Sequence, residues 1–299
     1  MGVYLTKPSV EKESLDNEKH PFRFGVSAMQ GWRMNMEDAH IAISNFDEDK
    51  GLFAVFDGHG GPEVAKYCAK YLPIKLLENE KYKNKAYQKA LEEVFLELDQ
   101  DLLKDTNNSL LSEFKMNAGE EKSIAGCTAV VCLIVDDEIF AANAGDSRAL
   151  LYSNDNEVDP LSFDHKPDNT IEMERIRKAG GYVNNGRIND NLNLSRAIGD
   201  IEYKGNSSIP LEEQIISPFP DVQVRKLNNG FKFLLMGCDG IWETLSTEEI
   251  CEFIDKSIKE KPDEKLSLTL EVLLDNLIAK EVSQGVGCDN MSAILVLLK

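Results

Sequence analysis

Basic residues are scarce in this sequence. It has 33 Lys and Arg against 52 Asp and Glu, a formal net charge of −19, and no run of Lys or Arg. Nucleic-acid binding draws much of its free energy from basic side chains that displace counterions from phosphates, so no nucleic-acid partner is expected. Histidine is equally sparse, with four residues at 20, 40, 59 and 165, too few and too scattered for a His-rich zinc site. The six Cys, at 68, 127, 132, 238, 251 and 288, form no Cys-x-x-Cys pair. We see no signal peptide, and expect reduced thiols in the cytoplasm or nucleus. No apolar stretch approaches the roughly 18 residues of a membrane span.

The 299 residues are 42% hydrophobic and 28% charged, ordinary for a globular chain and enough to build a core without disulfides. Residues 1–21 are polar and hold Pro8 and Pro21, so they read as an irregular N-terminal arm. The start Met1-Gly2-Val3-Tyr4-Leu5-Thr6 fits the N-myristoylation pattern and makes Gly2 a lipidation candidate. One acyl chain with no neighbouring Cys or basic cluster binds membranes weakly and reversibly. Membrane contact is therefore expected only through Gly2, and otherwise a monomer.

From residue 22 to 299 no linker or repeat interrupts the pattern, which reads as one domain. Alternation or short apolar runs predict strands at 22–27, 51–56, 129–135, 138–143, 149–152, 221–225, 231–236 and 291–298. Helical spacing predicts helices at 61–77, 86–103, 170–179, 247–258 and 266–282. Residues 105–122 read as a loop-rich connection, and 201–219, with Pro210 and Pro218, as a surface flap suited to substrate selection. Strands come in adjacent runs, which points to an α+β fold with largely antiparallel sheets.

Four Asp share one placement. Asp57, Asp146 and Asp239 each follow an apolar strand, and Asp289 precedes the last one. An Asp-Gly after a strand is by itself most often a turn. Carboxylates converging from several strand ends instead repel one another unless a cation neutralises them. Glu37-Asp38 adds a fifth position: neighbouring side chains on a strand face opposite ways, so one of the pair can face such a site directly and the other acts behind it or elsewhere. An all-carboxylate set selects hard cations, Mg²⁺ or Mn²⁺, over zinc.

The strings Gln30-Gly31-Trp32-Arg33-Met34-Asn35-Met36-Glu37-Asp38-Ala39-His40, Phe56-Asp57-Gly58-His59-Gly60-Gly61, Ala144-Gly145-Asp146-Ser147-Arg148, Leu194-Ser195-Arg196-Ala197-Ile198-Gly199-Asp200, Cys238-Asp239-Gly240-Ile241-Trp242-Glu243 and Cys288-Asp289-Asn290-Met291-Ser292 occur in the order found in the type-2C (PPM) protein phosphatases. The sequence resembles that family over nearly its whole length. The resemblance implies a sandwich of two mainly antiparallel sheets flanked by pairs of helices, with a metal centre between the sheets at one end. It implies hydrolysis of phosphoserine and phosphothreonine in phosphoprotein substrates by a metal-bridging hydroxide, without a covalent phosphoenzyme.

By the same resemblance Asp57 bridges two metals, Asp239 and Asp289 hold the first, and Glu37 with the Gly58 carbonyl helps hold the second. Asp146 with Asp239 matches a weaker third site. Asp38 orients metal-bound water, and Asn290 supports the ligands through hydrogen bonds. Arg33 matches a phosphate clamp, suited to bidentate contact. His59 matches a general acid for the leaving oxygen; the alternative is a His that only hydrogen-bonds metal-bound water. Arg148, Arg196 and Asp200 read as scaffold ion pairs and loop anchors. Glu243 stands where the family commonly has Asp, which puts the third metal's affinity in doubt. The competing readings are a phosphoprotein-binding scaffold that has lost catalysis and a two-metal nuclease. The first predicts missing ligands, yet every ligand position is filled; the second fits poorly with −19.

Overall fold

A computed structural model describes residues 4–105, 109–115 and 124–298. Among these, strands numbered in chain order form two large sheets. One has six strands: β1 (Tyr4–Asn17), β2 (Phe24–Arg33), β16 (Met291–Leu297), β15 (Phe231–Gly237), β9 (Arg148–Ser153) and β10 (Val158–Pro160), in that spatial order. The other has five: β14 (Asp221–Lys226), β8 (Glu138–Ala144), β7 (Ala129–Val135), β4 (Lys50–Phe56) and β3 (Ala39–Phe46). Every pairing within both sheets is antiparallel.

Side-chain alternation sorts the strand residues between layers. In β4, Phe53 and Val55 face the core between the sheets, while Leu52, Ala54 and Phe56 face the helices α1 (Glu63–Glu78) and α3 (Tyr87–Lys104). A short helix, α2 (Glu80–Lys83), links that pair. The helices α6 (Thr247–Glu260) and α7 (Leu266–Leu277) cover the six-stranded sheet through Ile250, Ile254, Leu270 and Leu274. The result is the expected α+β sandwich between helix pairs. A capping box at Ser246 and Glu249 starts α6, satisfying two of its free N–H groups.

Three local expectations change. The arm is not irregular over the residues described: Tyr4–Asn17 is the longest of the described strands and pairs along β2 from Asn17↔Phe24 to Tyr4↔Arg33. Its polarity hid it, because an edge strand keeps one side in water. Asp16 also accepts hydrogen bonds from the Ser267 N–H at 2.9 Å and its hydroxyl at 2.6 Å, at the start of α7. That helix ends at Leu277 rather than 282. The chain turns extended at Ile278, and Ala279 N–H bonds back to the Gly287 carbonyl at 2.8 Å.

The flap is the third change. It belongs to a larger lobe made of α4 (Thr170–Lys178), the hairpin β11 (Val183–Asn184) and β12 (Arg187–Ile188), and 3₁₀ turns at Ile201–Tyr203 and Leu211–Glu213. Ile176, Ile188, Leu194, Ala197 and Ile216 form the lobe's own apolar cluster. Of the connection expected at 105–122, residues 106–108 and 116–122 lie outside the described residues.

Candidate active site

The strand ends of both sheets deliver the acidic residues to one cleft of ≈ 450 Å³, lined by Glu37, Asp57, Asp146, Asp239 and Asp289. Asp57 leaves β4, and its N–H approaches the Thr128 hydroxyl at 3.3 Å while the Thr128 N–H bonds the Asp57 carbonyl at 2.9 Å. Asp146 sits in the turn from β8 to β9. Asp239 follows β15 and opens the short helix α5 (Asp239–Trp242). Asp289 and Asn290 immediately precede β16.

Asn290 ties three segments together. Its amide donates to the carbonyls of Gln30 at 2.8 Å and Asn35 at 3.0 Å, and its oxygen accepts from the Glu37 N–H at 2.9 Å. Gly58 has to be glycine, since a Cβ there would lie 2.2 Å from the Glu37 carbonyl oxygen, a separation no side chain tolerates. Asp38 is buried; one of its oxygens accepts from the Ser292 hydroxyl at 2.7 Å, and the other, Oδ1, is buried with no protein partner.

Electrostatically the cleft is unbalanced. Burial and then the charges of Asp239, Asp38, Asp146 and Asp289 push the Asp57 carboxyl well above its ordinary range. Burial, followed by Asp146, Asp289 and Glu243, raises Asp239 to about 7. Asp38 also rises to about 7, chiefly through burial, against the hydrogen bond from Ser292. Arg33 pairs with Asp289 and Lys166 with the buried Asp146. Among the described residues neither Asp57 nor Asp239 has an ion-pair partner.

Oxygen or sulfur atoms of Asp38, Asp57 and Cys238 lie within 4.8 Å of one another, and so do oxygens of Asp239, Glu243 and Asp289. Carboxylate oxygens this close repel unless a cation joins them. The donor set is dominated by carboxylate oxygen, and Asp38 Oδ1 has no hydrogen-bond partner among the described residues. These residues fit hard divalent cations.

His59 lies on the two-residue strand β5 (Gly58–His59), and its Nε2 is 2.8 Å from a carboxylate oxygen of Asp200. Burial opposes the charged imidazolium, but the adjacent Asp200 carboxylate outweighs it and the His59 pKa is raised. Arg33 closes β2, and its Nε has no hydrogen-bond partner among the described residues.

A family model for protein phosphatase 2C matches residues 22–286. The chain belongs to the protein phosphatase 2C family. It is 47% identical to a probable protein phosphatase 2C of Paramecium tetraurelia over 299 residues, all of both chains. It is 41% identical to one from Arabidopsis thaliana, covering 100% of this chain and 93% of that one. The fold is similar to that of a phosphatase from Toxoplasma gondii, with a TM-score of 0.77 at 24% identity and 96% and 95% of the two chains covered. A serine-threonine phosphatase 2C from the same organism gives 0.76 at 19% identity over 99% of both. The chain is thus a protein phosphatase, and phosphoproteins are its substrates.

All the site residues expected from the sequence line or adjoin this one cleft, apart from Gly2, which lies outside the described residues. Glu37 and Asp146 line the cleft outside the two tight oxygen clusters, and Asp146 has Lys166 as its partner. Sequence reasoning missed Lys166 and Thr128, for which no motif gave a signal. Glu243 stands beside Asp239 and Asp289, and its carboxylate also accepts the Gly287 N–H at 3.1 Å. The cleft's neighbouring wall is Leu192–Leu194, earlier in the chain than the flap expected at 201–219. Arg148 and Arg196 are scaffold ion pairs, to Asp164 at 2.8 Å and to Glu172 at 2.7 Å. Asp200 was expected among such anchors, yet it contacts His59; its place at the end of the Ser195-to-Asp200 string was the available signal.

Proposed function

We propose that this phosphatase uses two Mg²⁺ or Mn²⁺ ions to hydrolyse phosphoserine and phosphothreonine in proteins. Asp57, Asp239, Asp289, Glu37 and the Gly58 carbonyl are the residues that would hold them, and Asp146 with Asp239 would offer a weaker third position. The observation that carries this reading is the crowding of carboxylates in one cleft, where Asp57 and Asp239 have no ion-pair partner among the described residues. When bound, such a pair of cations neutralises phosphoryl oxygens and lowers the pKa of water towards neutrality.

The protein's own groups supply the rest. Arg33 has a buried, unshared Nε–H and a guanidinium suited to two phosphoryl oxygens. His59 delivers a proton to the departing Ser or Thr oxygen. Asp38 accepts a hydrogen bond from Ser292 and has a second oxygen free to orient water. The six cysteines are free and buried, and burial pushes the thiols of Cys127 and Cys238 well up. Neutral buried thiols are poor nucleophiles, which supports direct attack by water over a cysteinyl intermediate. The same free thiols support residence in the cytoplasm or nucleus.

Hydrolysis of a phosphoserine peptide should require Mn²⁺ or Mg²⁺, stop in EDTA, and return when the metal is restored. Full activity in EDTA would overturn the metal assignment.

A further inference from the structure

A small three-stranded sheet stands apart from the two large ones, in the order β13 (Ile198–Gly199), β6 (Gly126–Cys127), β5. Its middle strand pairs Gly126 with His59 on one side and with Gly199 on the other. This brings Asp200 to His59 across 141 positions of sequence.

Three features hold Asp200 in place. Its N–H bonds the Ala125 carbonyl at 3.0 Å. Its φ of 48° is left-handed, a conformation that costs a non-glycine residue about 1 kcal/mol or more and so persists only where neighbours impose it. The neighbours here include a fully buried ion pair. Asp99 Oδ1 accepts from the Gly199 N–H at 2.8 Å and from Lys204 Nζ at 2.6 Å, and Lys204 also donates to the Ala197 carbonyl at 2.8 Å. The side chains of Asp99 and Lys204 are both 0% exposed, so the pair grips the chain before and after Asp200.

Gly126 supplies an independent sign that the contact is built. A Cβ on Gly126 would lie 2.3 Å from the Asp200 carboxylate oxygen and 2.6 Å from His59 Nε2. Only glycine leaves room for that hydrogen bond.

We propose that Asp200 is the positioning residue of His59. An ionised carboxylate only accepts, so Asp200 fixes the hydrogen on Nε2, orients the ring, and leaves Nδ1 as the nitrogen that works in the cleft. The arrangement follows the logic of a carboxylate that sets a histidine's tautomer and balances its charge. In the reaction, water forms the new P–O bond as the P–O bond to the Ser or Thr oxygen breaks. The Nδ1 proton goes to that oxygen, and a proton released from the attacking water restores the imidazolium through solvent. The inference rests on reading His59 as the general acid.

The test compares two leaving groups. A seryl oxygen departs poorly without a proton, whereas p-nitrophenolate is stabilised by its ring and departs without one. The ratio of kcat for a phosphoserine peptide to kcat for p-nitrophenyl phosphate isolates proton donation, because both substrates count the same folded molecules. Positioned acids contribute about 10²–10⁴-fold. We expect the ratio to fall about 10–100-fold in Asp200→Asn, similarly in Gly126→Ala, and at least as far in His59→Gln. If His59→Gln lowers the ratio while Asp200→Asn and Gly126→Ala leave it unchanged, Asp200 is a loop anchor and the proposal fails. If His59→Gln itself leaves the ratio unchanged, the general-acid reading fails and takes this inference with it.

Discussion

In the cleft, Asp57 and Asp239 are surrounded by other acids and their carboxyls are driven upward. At the root of the α4 lobe, Glu172 is more deeply buried, yet it lies between Arg175 at 2.6 Å and Arg196 at 2.7 Å. It also accepts from the Ser195 hydroxyl at 2.6 Å. Burial raises its pKa, but hydrogen bonding and charge from the two arginines and Ser195 bring it down to about 2. Arg196 continues to Asp221 at 2.8 Å, and Asp221 to His165 at 3.1 Å. The two regions use the same side-chain types and balance them differently. Glu172 brings its own cations and anchors the lobe. Asp57 and Asp239 have no ion-pair partner among the described residues, which the metal proposal above accounts for. Charge compensation, more than burial, tells the two apart.

Asp57→Asn breaks the comparison most sharply. It should lower phosphoserine-peptide hydrolysis by about 10³-fold or more, equivalent to roughly 4 kcal/mol of transition-state stabilisation. In EDTA the same variant should melt no lower than wild type, because one member of a repelling cluster has lost its charge. A melting point several degrees lower in EDTA would mean that Asp57 holds the fold together as Glu172 does.

Glu172→Gln is the mirror experiment. Removing one partner of a buried pair leaves uncompensated charge and costs about 3–5 kcal/mol. Chemical denaturation should show a loss of that order, with or without metal. The lobe's contacts to the sheets, through Arg196 and Asp221, should loosen first in hydrogen exchange. Unchanged stability would place the anchor's energy elsewhere.

Metal addition sharpens the contrast from the other side. At a free Mn²⁺ concentration about 100 times its Kd, one site stabilises the wild type by roughly 2.7 kcal/mol. Glu172→Gln should gain the same increment from its lower baseline, and Asp57→Asn should gain little. Equal gains in all three, read by calorimetry with and without Mn²⁺, would separate the metal from Asp57.

How much of this was legible beforehand depends on the distance over which each feature is determined. Asp57, Asp146, Asp239 and Asp289 could be found because each stands beside an apolar run, and a strand end is a local property. The strand at Tyr4–Asn17 could not, since its pairing is dictated by the free edge of β2 and its own pattern is polar. Asp99 carries no local mark that sets it apart from the other acids of α3. Its partner Lys204 is 105 positions away, and no local pattern encodes that pairing. The same holds for Asp200 and His59, and for Lys166, which meets Asp146 only once the β10-to-α4 segment is in place.

The smallest effect tests the sign of the anchor's electrostatics. Glu172 has an ordinary value of 4.5 in the unfolded chain and about 2 in the folded protein. Between those values the unfolded state binds more protons than the folded one, so stability falls as pH falls. The contribution is fully present above about pH 4.5 and is lost progressively towards pH 2. Over the single unit from about pH 4.5 to 3.5, linkage makes that loss about 1 kcal/mol. Glu172→Gln has no such proton to take up. The stability difference between wild type and variant, measured by urea denaturation, should therefore shrink by about 1 kcal/mol across that unit and stay constant from pH 6 to 8. A difference that widens on acidification would mean that the Glu172 carboxyl is driven upward like those of Asp57 and Asp239, and the contrast between the two regions would fall.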